Sequence, residues 1–237
     1  MTKNDFRGET PLNYTEKSLC VLVLDVSESM SWESNGIIPI DELNKGLQDF
    51  YNEIADPNNE LSECLEVSLI TFSNIVRTVQ EPALVENISL KTLTTGGSTA
   101  MVDAVNDAID KVQARKDWYK KTNQSYYRPW IILITDGAPN PDQDVNGLAS
   151  RIKSDMAAKK YVFLPIGVEG ADMFVLDKIT GCVKDKKIGP IPMQGAQFAQ
   201  FFVKLSSSFE GAVGNEAAND SEEDDQIKQI LDDIESF

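Results

Sequence analysis

The sequence predicts an α/β fold: a doubly wound, mostly parallel central sheet flanked by helices on both faces. Two observations lead to this prediction. Runs that are apolar almost throughout recur along the chain, namely SLCVLVLD at 18–25, WIILIT at 130–135 and YVFLPIGV at 161–168. Such runs are typical of strands buried on both faces of a sheet. Segments with apolar residues at helical spacing lie between them, and this alternation is typical of a parallel sheet covered by helices.

The first half of the chain contains two predicted α/β units. After the first strand, a helix is predicted from Asp41 to a turn-rich cluster at 56–59. A strand at 64–73 is predicted to form an edge hairpin with 75–79, and residues 82–95 are predicted to be an irregular connection. The helix has one apolar face, which is made of Leu43, Leu47, Phe50, Tyr51 and Ile54.

The second half continues the alternation. Residues 96–99 lead into a helix that a polar stretch at 115–124 is predicted to end. A short helix is predicted at 172–180 and a short strand at 182–186. Three further helices are predicted from their apolar faces. The first face consists of Met101, Val105, Ala108, Ile109 and Val112, and the second of Val145, Leu148, Ala149, Ile152 and Met156. The third consists of Phe198, Phe201, Phe202, Leu205 and Phe209.

The composition predicts one globular body with two appendages. The 237 residues suit a polar lead-in at 1–17, a body at 18–212 and an acidic tail at 213–237. The polar start and the lack of an apolar stretch of about 20 residues predict a protein without signal peptide or membrane contact. Cysteines are few and scattered, and Cys20 and Cys64 are expected to be buried and reduced, which favours the cytoplasm.

Charge and composition exclude several functional classes. The net charge of −16 argues against a nucleic-acid-binding protein. The chain contains no histidine, so it cannot supply a Ser-His-Asp or Cys-His catalytic set, nor a histidine-ligated zinc site.

The first strand ends in a group of oxygen-bearing side chains with the spacing Asp25-x-Ser27-x-Ser29. In open α/β sheets, ligands bind outside the carboxyl ends of the strands. Alternate residues of an extended segment point to one side, so these three side chains are able to converge. Hard oxygen atoms at one point suit Mg²⁺.

Two more segments complete a possible metal site. Thr99 follows a glycine pair at the start of a predicted helix, and Asp136, followed by Gly137, ends the strand WIILIT. Each motif alone is common at a strand end or helix cap. The three motifs in this order, each beside a strand or helix of one alternating pattern, are much more specific.

With these residues the chain resembles the von Willebrand factor A domains, whose Rossmann-like fold carries a metal-ion-dependent adhesion site made of Asp-x-Ser-x-Ser, a Thr and an Asp. The resemblance implies that Ser27 and Ser29 bind Mg²⁺ (or Mn²⁺ or Ca²⁺) directly. Thr99 would bind directly or through water, and Asp25 and Asp136 would act mostly through water or through the hydroxyls. A partner's Asp or Glu carboxylate would complete the site, so the resemblance implies an acidic surface on a protein partner. Glu28 stands where family members commonly carry Gly, and we expect it to point to solvent.

Several segments resemble a bacterial branch of that family, the TerY type of tellurium-resistance clusters. They are ELNKGLQDFYNEIADP, EVSLITFS, YYRPWIILITDGAPN and IGVEGADMFVLDKIT. This resemblance implies a cytoplasmic, non-enzymatic adaptor in a stress-response complex, beside a kinase-like protein and a phosphatase.

The acidic tail contains an amphipathic stripe, formed by Ile227, Ile230, Leu231, Ile234 and Phe237. Such a stripe is able to dock in a partner's groove. Two alternatives stay open: a helix that folds back and offers an acid to the metal site, and a disordered solubilising tail.

Two other functional classes also stay open. Asp25, at a strand end, could be the nucleophile of a phosphoryl-transfer enzyme, although the position two residues on, where such enzymes place a general acid, is Ser27. The chain could also be the von Willebrand factor A subunit of an ATP-driven chelatase or remodelling complex.

Overall fold

A six-stranded sheet forms the centre of the computed structural model, which describes residues 10–34, 36–86, 88, 90–193, 197–213 and 220–235. The strands of this sheet are β1 (Ser18–Asp25), β2 (Leu65–Phe72), β3 (Val76–Leu84), β4 (Trp130–Thr135), β5 (Val162–Val168) and β8 (Ile191–Met193). A separate two-stranded hairpin consists of β6 (Cys182–Val183) and β7 (Lys186–Lys187). The described residues also form the helices α1 (Pro39–Ile54), α2 (Met101–Lys121), α3 (Val145–Ala157), α4 (Met173–Lys178), α5 (Phe198–Val213) and α6 (Asp220–Glu235).

The strand order is β3-β2-β1-β4-β5-β8, and all neighbours are parallel except β2 and β3. The chain therefore leaves β1 toward β2 first and returns to β4 on the other side. In such sheets, the point where the strand order reverses opens a crevice at the carboxyl ends of the two strands. Here that crevice lies between β1 and β4. The predicted fold class is confirmed.

The sheet is buried on both faces. Every residue of β1, β4 and β5 is buried, as their apolar runs predict. β2 is also buried throughout, although its sequence alternates between apolar and polar residues. α1 packs against α5, and α2 packs against α3, which gives the helical layers that cover the sheet. Cys20 and Cys64 are buried free thiols, as expected, and Cys182 is an exposed one. No helix of the described residues is long and apolar enough to cross a membrane.

Several element predictions need correction. The edge strand predicted at 75–79 is β3 and continues to Leu84, so residues 82–84 do not belong to an irregular connection. The stretch from Arg115 is not the end of a unit, because α2 continues to Lys121. The strand predicted at 182–186 is the small β6–β7 hairpin, and the sheet gains β8, which the sequence analysis did not predict. β8 has three residues and contains a proline, so it carries no recognisable alternation.

The polar part of α2 is held by a buried ion pair. Arg115 Nε and Nη2 donate to the two carboxylate oxygens of Glu66 at 2.7 Å each, and the Tyr119 hydroxyl donates to the same carboxylate at 2.6 Å. The guanidinium also lies 3.9 Å from the ring centre of Trp118. A buried charge needs such partners. Although this stretch is polar in sequence, it therefore forms a core contact between α2 and β2.

The described part of the acidic tail beyond residue 213 is α6, which is docked on the body of the chain. Ile227, Ile230, Leu231 and Ile234 are buried in the chain's own core, and Phe237 lies outside the described residues. These four side chains, which the sequence predicted as partner-binding residues, therefore face the body of this chain. Acidic residues of α6 form ion pairs with cations of the body, namely Glu223 and Asp224 with Arg128, Asp224 with Lys159, Asp225 with Lys184, and Asp232 and Glu235 with Lys186.

The alternative in which the tail offers an acid to the metal site is wrong for the described part of α6. Arg128, the partner of Glu223, lies two residues before the start of β4. α6 is therefore anchored at the amino ends of the strands, whereas the predicted metal site lies at their carboxyl ends.

Candidate metal site

Two carboxylates meet at the carboxyl edge of the sheet. Asp25 is the last residue of β1, and Asp136 directly follows β4, its parallel neighbour. Both side chains are buried, with exposed fractions of 0% for Asp25 and 7% for Asp136. The strand register therefore brings together two acids that are separated by more than a hundred residues in sequence.

The segment after β1 turns both serines toward these acids. The Ser27 backbone N–H donates to Asp25 Oδ1 at 2.8 Å, which holds the carboxylate against the turn. A short 3₁₀ helix, Glu28–Ser31, follows, and its buried Met30 anchors it in the core. Ser29 Oγ donates to Asp136 Oδ1 at 2.9 Å and lies 3.2 Å from Ser27 Oγ. The two hydroxyls and the Asp136 carboxylate thus form one continuous group of oxygens.

Gly137 shows where Thr99 lies. A Cβ atom placed on Gly137 would be 3.5 Å from Thr99 Oγ1 and 3.9 Å from Asp25 Oδ2. The Thr99 hydroxyl and the Asp25 carboxylate therefore border the same small space, which the glycine leaves open. The structure brings together all five predicted residues, Asp25, Ser27, Ser29, Thr99 and Asp136.

Thr135 and Asn140 position this group, and the sequence analysis did not single them out. Thr135 Oγ1 donates to Asp25 Oδ2 at 2.5 Å and accepts from the Gly137 N–H at 3.2 Å. Asn140 Oδ1 accepts from the Thr99 N–H at 3.1 Å, and the Asn140 N–H donates to the Thr99 carbonyl at 3.0 Å. Asn140 Nδ2 also donates to Ser98 Oγ at 3.3 Å. The Thr135–Asp25 contact spans 110 residues of sequence, and the contacts of Asn140 with Ser98 and Thr99 span 42 and 41, so no local motif could indicate them.

The glycine pair lets the Thr99 loop approach the loop after β1. The Gly96 N–H donates to the Val26 carbonyl at 2.9 Å, and the Glu28 N–H donates to the Gly97 carbonyl at 3.1 Å. Gly97 has a φ of +89°, and a Cβ atom on it would lie 2.6 Å from Asn74 Oδ1. A residue with a side chain would be strained here and would displace Asn74. Glu28 itself is exposed, as expected.

The electrostatics of the site leave negative charge uncompensated. Burial raises the pKa of Asp25 to about 6, although hydrogen bonds from Ser27 and Thr135 lower it, and the neighbouring Asp136 charge adds to the rise. Burial also raises the pKa of Asp136, against the hydrogen bond from Ser29. Among the residues that the structure describes, no Lys or Arg forms an ion pair with either carboxylate. Buried carboxylates without a cationic partner are costly unless they lose their charge or gain a positive ion.

The donor set fits a hard divalent cation. It consists only of oxygens, from two carboxylates and three hydroxyls, around the space beside Gly137. Hard cations such as Mg²⁺ prefer oxygen ligands, and Mg²⁺ usually keeps some of its waters. The described residues contain no cluster of three or more His, Cys, Asp or Glu side chains suited to a metal. Ion binding at this edge would therefore depend on the hydroxyls of Ser27, Ser29 and Thr99.

Comparison with known proteins gives one family match. The family model of the von Willebrand factor type A domain matches residues 20–189, which include all five residues of the site. No curated protein matches this chain.

Solved structures share the fold at low sequence identity. The PilB minor pilin from Streptococcus sanguinis is 15% identical, with a TM-score of 0.60 over 86% of this chain and 63% of that chain. The ArnB paralog VWA2 from Sulfolobus acidocaldarius is 18% identical, with a TM-score of 0.54 over 80% of this chain and 45% of that chain. The SpRpn10 VWA domain is 12% identical, with a TM-score of 0.53 over 79% of this chain and 94% of that domain. This chain thus matches about half to two thirds of the length of the first two proteins, and the likeness concerns the fold.

Proposed function

Since this chain belongs to the von Willebrand factor type A domain family, we propose that it is a non-enzymatic protein–protein interaction module that depends on a divalent cation. The observation that carries this proposal is the convergence of two buried, unpaired carboxylates and three hydroxyls beside Gly137. The proposed ion is Mg²⁺, with Mn²⁺ and Ca²⁺ as alternatives.

Each residue has a role in this proposal. Ser27, Ser29 and Thr99 would hold the ion through hydroxyl oxygens, and Asp25 and Asp136 would act mostly through water or through these hydroxyls. Hydroxyls are neutral, so they leave the ion more positive than carboxylates would. A divalent cation held there would supply a position that a partner's Asp or Glu carboxylate is able to occupy. Thr135 and Asn140 keep Asp25 and Thr99 in place through the hydrogen bonds described above.

The geometry argues against Asp25 as a nucleophile. Its side chain has no exposed surface, and both of its oxygens accept hydrogen bonds, one from the Ser27 N–H and one from Thr135 Oγ1. The position where a general acid would be needed holds Ser27, a poor proton donor. The chelatase role would require an ATPase on another chain.

We extend the proposal to the cellular role that the TerY-like segments imply. In this role the protein is a cytoplasmic bacterial adaptor of a tellurium-resistance or stress-response complex, which binds a kinase-like protein and a phosphatase. The support for this extension is the likeness of the segments around α1, β2, β4 and α4.

An affinity pull-down from lysate of the native host tests the proposal. It uses wild-type protein with Mg²⁺, wild-type protein with EDTA, and Asp25→Ala with Mg²⁺. The Ser154→Ala variant serves as a control, because Ser154 is an exposed serine of α3 outside the predicted ligand set. The proposal predicts a partner that wild type and Ser154→Ala capture with Mg²⁺ and that is lost with EDTA and with Asp25→Ala. A partner captured equally in all four samples would contradict it.

A further inference from the structure

Four loop segments at the carboxyl edge of the sheet together contain seven acidic residues and no basic ones, although the exposed Arg77 lies at the start of β3 on the same edge. These loops are residues 26–38 after β1, 94–100 before α2, 136–144 after β4 and 169–172 after β5. Together they carry seven carboxylates and no Lys or Arg, the acids being Glu28, Glu33, Asp136, Asp142, Asp144, Glu169 and Asp172. The metal site described above lies in the middle of this acidic edge.

The opposite edge has a different charge. Lys17, Arg128 and Lys159 lie near the amino ends of the strands, and acids of α6 pair with the last two. The acidity of the metal-site edge is therefore a local property and does not simply follow from the net charge of −16. A charge pattern confined to the edge that carries the candidate site affects what is able to approach that site.

Three large apolar side chains are exposed on the same edge. Trp32 is 66% exposed, Phe174 is 80% exposed and Ile75 is 51% exposed. They lie on three different segments: one directly after the 3₁₀ helix of the site, one at the start of α4, and one in the turn between β2 and β3.

Short-range contacts tie each of these segments to the metal site. The Trp32 N–H donates to the Ser29 carbonyl at 2.9 Å. A Cβ atom on Gly170, four residues before Phe174, would lie 3.3 Å from the Asp136 carbonyl oxygen. Asn74, next to Ile75, lies against Gly97 in the Thr99 loop.

The acidic residues of this edge limit which protein surfaces are able to bind there. A divalent ion brings two positive charges, and Asp25 and Asp136 already balance them when both are ionised. The remaining acids of the edge would repel a broadly acidic surface, because like charges brought together across an interface cost several kcal/mol. A single carboxylate surrounded by basic residues would avoid this cost, and large apolar neighbours would cover Trp32, Phe174 and Ile75.

We propose that this edge recognises a protein segment in which one Asp or Glu is flanked by basic and large apolar residues. This inference rests on the proposed function, because the central carboxylate is the one that would reach the cation. It replaces the sequence-based expectation of an acidic partner surface with a more specific one: an isolated acid in basic and apolar surroundings.

Selection from a displayed peptide library tests the inference. The library has a fixed central Asp and random residues on both sides, and the full-length protein is the bait with Mg²⁺, with EDTA or as Asp25→Ala. We expect Mg²⁺-dependent enrichment of Lys, Arg and large apolar residues beside the Asp, with acidic flanks depleted about tenfold. Enriched peptides are then resynthesised with the central Asp replaced by Asn, and we expect Mg²⁺-dependent binding to be lost.

The outcomes separate the two proposals. Mg²⁺-dependent enrichment of peptides with acidic flanks, or of peptides without flank preference, would contradict the inference and leave the proposed function intact. Equal enrichment with Mg²⁺ and EDTA, or with Asp25→Ala, would contradict the proposed function. No enrichment under any condition would contradict both.

Variants of the edge test the flanks separately. The triple change Glu28→Lys, Glu33→Lys and Glu169→Lys should switch the selected flanks from basic to acidic. A matched control reverses two exposed acids elsewhere, Asp49→Lys and Asp117→Lys, and should leave the flanks unchanged. The pair Trp32→Ser and Phe174→Ser should remove the apolar preference, whereas Leu12→Ser, which alters an equally exposed side chain in the lead-in, should not.

Discussion

At the scale of single residues, the main feature of the site is a buried carboxylate, Asp25, without a cationic partner among the described residues. Its carboxylate has two hydrogen-bond donors, no exposed surface and no ion pair among the described residues. Serine and threonine hydroxyls cannot neutralise it. This combination is unfavourable for an ionised acid in a protein that binds nothing there, and it is favourable for one that binds a cation.

Gly137 is the residue whose change should affect ion binding most selectively. In Gly137→Val, the Cβ atom would enter the space between Thr99 Oγ1 and Asp25 Oδ2 at ordinary contact distances, and the added methyl groups would fill it. We expect Mg²⁺ affinity to fall by about tenfold or more with a loss of unfolding free energy of about 1 kcal/mol or less. Isothermal titration and chemical denaturation measure the two effects.

Gly189→Val is the matched control for this change, because a Cβ atom on Gly189 would meet nothing within 4 Å. Gly189→Val should change neither the Mg²⁺ affinity nor the unfolding free energy. If Gly137→Val bound Mg²⁺ as tightly as the wild type, the space beside Gly137 would not be where the ion is held.

At the scale of elements, two packing contacts involve segments that are polar in sequence and were therefore not predicted. The first joins α2 to β2 through Arg115, Glu66 and Tyr119. The second joins α6 to the body, where an acidic helix covers cationic side chains and buries an apolar stripe beneath them. Both combine charge with burial, so patterns of apolar residues alone could not reveal them.

The Glu66 contact should be important for stability. Glu66→Gln removes the buried carboxylate charge that accepts from both Arg115 and Tyr119, and we expect a loss of about 3 to 5 kcal/mol in unfolding free energy. Urea denaturation of the variant and the wild type measures this loss. Glu63→Gln changes an exposed acid three residues away and should cost less than about 0.5 kcal/mol. Equal stability of Glu66→Gln and wild type would show that the pair contributes nothing.

The docking of α6 should affect stability but not ion binding. Leu231 is fully buried, and Leu231→Asp places a charge in the contact, so we expect a loss of about 3 kcal/mol or more in unfolding free energy. Because α6 is anchored at the amino edge, Mg²⁺ affinity should change less than about twofold. Gln229→Asp, on the exposed side of α6, is the control. A parallel fall in Mg²⁺ affinity would mean that α6 is coupled to the metal site.

The ion pairs of α6 also predict a pH dependence. Burial would raise the pKa of Asp224, but hydrogen bonds from Lys159 and Arg128 and their charges outweigh it and hold the pKa below its usual value. Asp224 therefore contributes stability above the usual carboxylate pKa of about 4, and this contribution is lost as pH falls through the lowered pKa. The stability difference between wild type and Asp224→Asn should be present at about pH 7 and shrink toward about pH 3.

Denaturation at a series of pH values measures that difference. Asp49→Asn, which changes an exposed acid of α1, should differ little from the wild type at every pH. A difference for Asp224→Asn that grew on acidification would contradict the assigned sign.

At the scale of the whole molecule, the sequence predicted what depends on local pattern. The buried strands β1, β4 and β5 have long apolar runs, and the edge hairpin of β2 and β3 follows a clear alternation, so these elements were predictable. β8 was not predictable, because its three residues form a strand by pairing with β5 and have no recognisable strand pattern of their own. The docking of α6 was not, because the cations that hold it are scattered over the body.

The same distinction applies to the candidate site. Asp25, Ser27, Ser29, Thr99 and Asp136 belong to short motifs at the ends of predicted elements, so the sequence was able to nominate them. Thr135 and Asn140 act through hydrogen bonds to other loops, and only the folded chain shows which loops meet. The division of charge, an acidic carboxyl edge and a cationic amino edge beneath α6, likewise depends on the topology of the sheet.

Direct titration of the protein with Mg²⁺ is the measurement that tests the central claim most directly. The titration compares wild type with Ser29→Ala, Asp136→Asn and the control Ser154→Ala, which changes an exposed serine of α3. We expect one ion per chain, affinities for Ser29→Ala and Asp136→Asn that are weaker by about tenfold or more, and an unchanged affinity for Ser154→Ala. Wild-type protein that binds neither Mg²⁺, Mn²⁺ nor Ca²⁺, or an Asp136→Asn variant that binds as tightly as the wild type, would contradict the claim that this edge is a metal site.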